Sequence, residues 1–147
     1  SLGCLPDLAL EGVAPPYVIN ELSVEISVDL EATRFRSLII YTWGDSDRTL
    51  ARVERQADKP SVHLNAYPLN GRGGGADTTL NATQTPRIVR NVCASMQRGR
   101  GRRWLVDSVR QIELNLATCY AVFCRQGRHR SVGAPLNLKA HVYPYAQ

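Results

Sequence analysis

Long apolar runs are missing from this sequence. No stretch approaches the ~20 residues that cross a bilayer, and no charged segment leads into an apolar one as in a signal peptide. Metal-type cysteine spacing is missing too. The four cysteines, Cys4, Cys93, Cys119 and Cys124, include no Cys-x-x-Cys pair, and no spacing of histidines completes a metal set. On one strand Cys119 and Cys124 would point to opposite faces. A disulfide framework is therefore not expected, no metal and no cofactor is expected, and the expected compartment is intracellular and reducing, cytoplasm or organelle interior. Asn81-Ala82-Thr83 has the form of a glycosylation sequon, which matters only in a secreted chain. The chain begins at Ser1, not Met, so a processed or partly ordered product is expected, one that can lack upstream targeting information.

Lysine is scarce: two residues, against sixteen arginines. Gly73-Gly74-Gly75 has no Lys-Ser/Thr pair after it and reads as a flexible surface loop, not a nucleotide P-loop. Acidic residues nearly vanish from the second half. Residues 79–147 hold eleven basic residues against Asp107 and Glu113 alone, a net of +9, while residues 1–78 hold eleven acidic and seven basic, a net of −4. Such asymmetry predicts an anionic partner, and arginine suits planar phosphate recognition. A GC-rich coding sequence would give the same arginine excess.

What is present suits one domain: 147 residues, 44% hydrophobic and 21% charged. Residues 1–20, with Pro6, Pro15 and Pro16, read as an extended N-terminal arm. From Glu21 to Leu30 apolar and polar residues alternate, which predicts a half-buried strand. Ser37–Trp43 is a continuous apolar run, expected to be buried on both faces. A short charged helix over Thr49–Ala57 and a strand over Ser61–Ala66 follow, then a long loop to Asp77. Thr85-Pro86 opens a helix with Ile88, Val89, Val92, Cys93 and Met96 on its apolar stripe. Arg98-Gly99-Arg100-Gly101-Arg102-Arg103 reads as a flexible cationic turn, either a nucleic-acid grip through Arg98, Arg100, Arg102 and Arg103 or a solvated loop. A second helix is expected over Trp104–Ala117, with Leu105, Val109, Ile112 and Leu116 buried. The run Cys119–Phe123 reads as a buried strand. After Val132 the helix pattern is spoiled by Gly133 and Pro135, leaving two turns over Leu136–Val142. The alternation predicts an α/β fold, a single layered domain over 21–147 with a mostly parallel central sheet and a phosphate-loop-like strand-loop-helix unit.

That unit is Cys124-Arg125-Gln126-Gly127-Arg128-His129-Arg130-Ser131. Successive backbone N–H groups of such a loop, with those of the helix start, converge on an anion, and Arg130 adds a bidentate fork. The Cys-x5-Arg-Ser spacing resembles the signature of cysteine phosphatases. Cys124, Gly127, His129, Arg130, Ser131 and Val132 also resemble the Gly-Cys-Thr-Gly-Gly-x-His-Arg-Ser-Val loop of the RapZ/YvcJ carboxy-terminal domain, with Phe123, Arg125 and Gln126 departing from it. The second resemblance implies binding of a phosphosugar or nucleotide-like ligand by residues 124–131, with RNA-related regulation. It also implies a bordering Asp-x-Arg-x-x-x-Pro-Asn-Pro segment, in which His63 takes the Asp place, Asn65 the Arg place and Pro68 or Asn70 part of the rest. The first resemblance implies catalysis by a Cys124 nucleophile with Arg130 as clamp and an acid on a mobile loop, for which Asp77 is the candidate. A third expectation is an accessory subunit of an RNA- or protein-containing assembly.

Overall fold

The structure, a computed structural model, describes residues 15–46 and 49–147, with side chains from Ile19 onward. In order these are α1 (Pro15–Ile26), α2 (Leu30–Thr33), β1 (Ile39–Gly44), α3 (Leu50–Glu54), β2 (Val62–Asn65), a 3-10 turn (Ala82–Gln84), α4 (Pro86–Ser95), α5 (Gly99–Leu114), β3 (Cys119–Cys124) and α6 (Arg130–His141). The three strands pair in parallel in the order β1-β3-β2, which makes a small α/β domain. Parallel strands require crossovers. Here α3 carries the chain from β1 to β2, and α4 and α5 carry it from β2 to β3.

Strand parity divides the sheet. Tyr120 and Val122 of β3, with Val62 and Leu64 of β2, join the core formed by residues such as Ile88, Val92, Val109 and Leu138. The opposite face carries Trp43, Phe123 and His63. Trp43 stacks on Phe123 at 4.3 Å between centroids, and its indole Nε1 donates to His63 Nδ1 at 3.1 Å. α6 lies close on α4, where the buried Asn137 amide donates to the carbonyls of Val89 (3.1 Å) and Gly133 (2.8 Å).

Several expectations are corrected. Residues 1–14 of the expected arm lie outside the described residues, and 15–20 belong to α1. Glu21–Leu30 is not a strand: it is the second half of α1 and the start of α2. Leu22, Ile26 and Leu30 recur every fourth residue as well as every second, and Ile19 extends the helical stripe. These four are buried while Val24 is 80% exposed. Each fully buried aliphatic side chain contributes about 1.5–3 kcal/mol, so the helical face decides. β1 is an edge strand, mostly half-buried, not buried on both faces. The cationic segment is not a turn. Arg98 caps α5, and Arg100, Arg102 and Arg103 lie in its first turns. The glycine at 101 answers to packing, since a Cβ there would sit 1.7 Å from the Ser95 carbonyl oxygen. Arg102 pairs with Glu21 (3.2 Å) and Glu25 (2.5 Å) of α1, so it ties two helices together and is spent for nucleic acid. Leu116 is 76% exposed, because it takes the left-handed position, φ 49°, that closes α5 while the Ala117 N–H reaches the Ile112 carbonyl. α6 runs unbroken from Arg130 through Gly133 and Pro135 to His141. Tertiary packing against α4 overrides the weak local propensity.

Candidate functional site

β3 delivers Cys124 to the carboxyl edge of the sheet, where α/β proteins bind ligands, and the chain then turns through 125–129 into α6. Gly127 makes the turn, with φ +72°. It also lies against the end of β1: a Cβ at 127 would fall 2.7 Å from the Gly44 nitrogen, and one at Gly44 would fall 2.5 Å from the Gln126 carbonyl carbon. The loop is braced by its neighbours. The Asp45 N–H donates to the Cys124 carbonyl at 3.0 Å, the Ser46 N–H to that of Arg125 at 2.8 Å and the Ala82 N–H to that of Arg128 at 2.8 Å.

With three of its carbonyls occupied from outside, the loop turns its N–H groups inward. Those of Ser131, Gly127 and His129 come near enough to Cys124 Sγ to lower its pKa, and the Ser131 hydroxyl lies 3.3 Å from it. Cys124 is 2% exposed. Burial is the largest influence on its thiol and pushes the pKa up. The Ser131 hydroxyl and the three N–H groups outweigh it, so the pKa falls below that of an ordinary thiol.

A cleft of about 290 Å³ opens above this floor, lined by Cys124, Arg125, Gln126, His129 and Arg130 from the loop and by Leu69, Asn70, Gly71 and Arg72 from the segment after β2. Arg130 is oriented before any ligand arrives. Its Nη1 donates to the Tyr67 carbonyl at 2.9 Å, and the guanidinium lies 4.9 Å from the Tyr67 ring centroid. Four of its five N–H donors remain. The Tyr67 hydroxyl in turn donates to Asp45 at 2.7 Å. His129 Nε2 lies 2.9 Å from the Leu80 carbonyl, so its proton sits on that nitrogen, and Arg128 bonds Gln126 Oε1.

Of the expected ligand residues, Cys124, Arg125, Gln126, His129 and Arg130 therefore line one cleft. Gly127 and Ser131 supply donors beneath it, and Arg128 is turned onto Gln126. His63 and Asn65 are elsewhere. Asn65 pairs with Phe123 and Leu64 with Val122, so parity sets 63 and 65 on the sheet face opposite Cys124. They line a different cleft, with Arg100 and Arg103. Asp77 is exposed and does not line the Cys124 cleft. It accepts from the Thr79 hydroxyl at 2.6 Å and N–H at 2.9 Å, which lower its pKa, hydroxyl first. The sequence reading missed Leu69, Gly71 and Arg72. The available signal was position, since they follow a strand and so open on the same edge as the loop. Asn91 of α4 holds the Gly71 and Gly73 carbonyls at 3.0 and 3.1 Å.

The arrangement offers convergent N–H donors, a depressed thiol and three arginines, Arg72, Arg125 and Arg130. No carboxylate lines the cleft among the described residues, nor do three or more metal-type side chains gather among them. In comparisons with known proteins, no family model, no curated protein and no solved structure matches the chain.

Proposed function

We propose that the chain is a receptor for a phosphorylated or otherwise anionic small molecule, held at the Cys124–Ser131 loop and not turned over. The observation that carries this is the convergence of the Gly127, His129 and Ser131 N–H groups at the start of α6, beneath a cleft edged by Arg72, Arg125 and Arg130. The likeness of Cys124, Gly127 and the His129–Val132 tetrad to the RapZ/YvcJ loop supports a phosphosugar or nucleotide-like ligand. Titrating inorganic phosphate and a phosphosugar by calorimetry tests the reading. Arg130→Ala removes a charge-assisted contact worth about 1.5–3 kcal/mol, a fall of roughly 10- to 150-fold in affinity. Equal affinity in the two proteins would overturn it.

A cysteine phosphatase is the second reading, favoured by the depressed Cys124 thiol. General acid catalysis typically contributes 10²–10⁴-fold and needs an acid with a pKa near the working pH. Asp77, the candidate, is shifted the other way by Thr79. Steady-state hydrolysis of an aryl phosphate and a phosphosugar separates the readings. Receptor function predicts trace rates, unchanged by Cys124→Ser. Brisk phosphosugar turnover abolished by that substitution establishes the phosphatase.

A further inference from the structure

We propose that the cleft between the free edge of β2 and α5 is a second binding site, for a small organic oxyanion, and that it works independently of the Cys124 loop. The ligand class is a phosphate monoester or carboxylate carried on a hydroxyl- or ammonium-bearing body.

The cleft has a volume of about 390 Å³. Arg100, Arg103, Trp104, Asp107, Ser108 and Gln111 recur at three- and four-residue steps, so one face of α5 forms its wall. His63 and Asn65 come from β2. Trp104 fixes the floor, because its Nε1 donates to the Asn65 carbonyl at 2.7 Å and pins the helix to the strand.

The two arginines at one end are exposed and uncommitted among the described residues. Arg102 is held by Glu21 and Glu25, whereas Arg100 and Arg103 have no ion pair or hydrogen bond among the described residues. Ser108 is 3% exposed and lines the cleft, and its hydroxyl has no hydrogen-bond partner among the described residues. That hydroxyl is not a buried orphan: it opens into the cleft and is free to donate there. His63 adds a donor: with Nδ1 accepting from Trp43, the neutral ring carries its proton on Nε2. Two guanidiniums and an imidazole N–H form a set for an oxyanion in the first turns of α5, where the helix's own field also favours negative charge, and the Ser108 hydroxyl follows about a turn farther on. Farther along, Gln111 and Asp107, whose Oδ1 also accepts from Arg110 at 3.2 Å, offer acceptors for hydroxyl or ammonium groups. Asp107 sets this cleft apart from a groove for a continuous phosphodiester, whose next charge it would repel.

The test uses the two tryptophans, whose indole N–H groups give separate NMR signals, assigned with Trp43→Phe. Inorganic phosphate and acetate are titrated separately into the labelled full chain. A saturable shift of the Trp104 indole signal is expected with one or both, and the pattern names the oxyanion. The paired change Arg100→Gln and Arg103→Gln should weaken that binding at least tenfold with the Trp43 signal in place as the check on folding, while Arg130→Ala should leave it unchanged. A shift that never saturates, one lost with Arg130→Ala, or one produced by a short oligonucleotide alone would overturn the proposal. Because Arg130→Ala reads the other cleft, failure of either site is seen without the other.

Discussion

Cys119 and Cys124 stand at the two ends of β3, 5% and 2% exposed, and their thiols are pushed in opposite directions. At Cys119 burial raises the pKa and the nearby Asp58 carboxylate raises it further. Among the described residues its Sγ has only the Asp58 carbonyl, 3.7 Å away, to which it donates as a thiol. At Cys124 burial also raises the pKa, but the Ser131 hydroxyl and the inward N–H groups reverse the sign. Burial is common to both, so the difference comes from where the following backbone goes. After Cys119 the chain continues as strand and its N–H groups enter the ladder. After Cys124 it turns, and the N–H groups have only the sulfur and the cleft to serve.

The largest expected effect comes from breaking the turn itself. Gly127→Ala places a Cβ against Gly44 in left-handed backbone, a strain of about 1–3 kcal/mol. Urea unfolding should show that loss, and the Cys124 thiol should return toward ordinary values while Cys119 is unchanged. Next comes the contrast between the thiols, read by alkylation rate against pH in Cys4→Ser, Cys93→Ser proteins that also carry Cys119→Ser or Cys124→Ser. Cys124 should become reactive below the pH of an ordinary thiol and Cys119 above it. Ser131→Ala should move Cys124 upward. A Cys124 titrating above Cys119 would reverse the comparison.

Anion binding should sense the same thiol. A bound anion disfavours the thiolate beneath it, so occupancy raises the Cys124 pKa and affinity must fall as pH rises through it. Sulfate, which keeps its charge in this range, isolates the effect. Charges ~4 Å apart interact by about 1 kcal/mol per unit pair in water, so the fall should be on the order of tenfold, beginning below the pH of an ordinary thiol. Cys124→Ser should flatten it. The smallest expected effect is that of Asp77→Asn, a change in sulfate affinity of less than about threefold. A larger change would mean that the glycine segment reaches the cleft.

The sequence carried the carboxyl half of this comparison better than the rest. β3 was legible because a continuous apolar run fits a central parallel strand, and α4 because Thr85-Pro86 opens a clear stripe, although the Thr85 side chain does not cap it. α1 was illegible because Leu22, Ile26 and Leu30 satisfy two periods at once, and only Ile19 and the exposed Val24 separate them. The start of α5 was hidden because Gly99 and Gly101 look like flexibility, while 101 answers to a contact with Ser95 that no local pattern encodes. His63 and Asn65 share one face because strand residues alternate, but the register against Phe123 that turns that face away from Cys124 is a long-range fact.

The central claim is that the loop's N–H groups bind an anion. Backbone amide signals of Gly127, His129 and Ser131, followed while inorganic phosphate is added to the wild-type chain, test it most directly. The account predicts saturable shifts at these three amides with one affinity, and none at the amides around Cys119. Phosphate that leaves the three unmoved, or moves both ends of β3 alike, would contradict it.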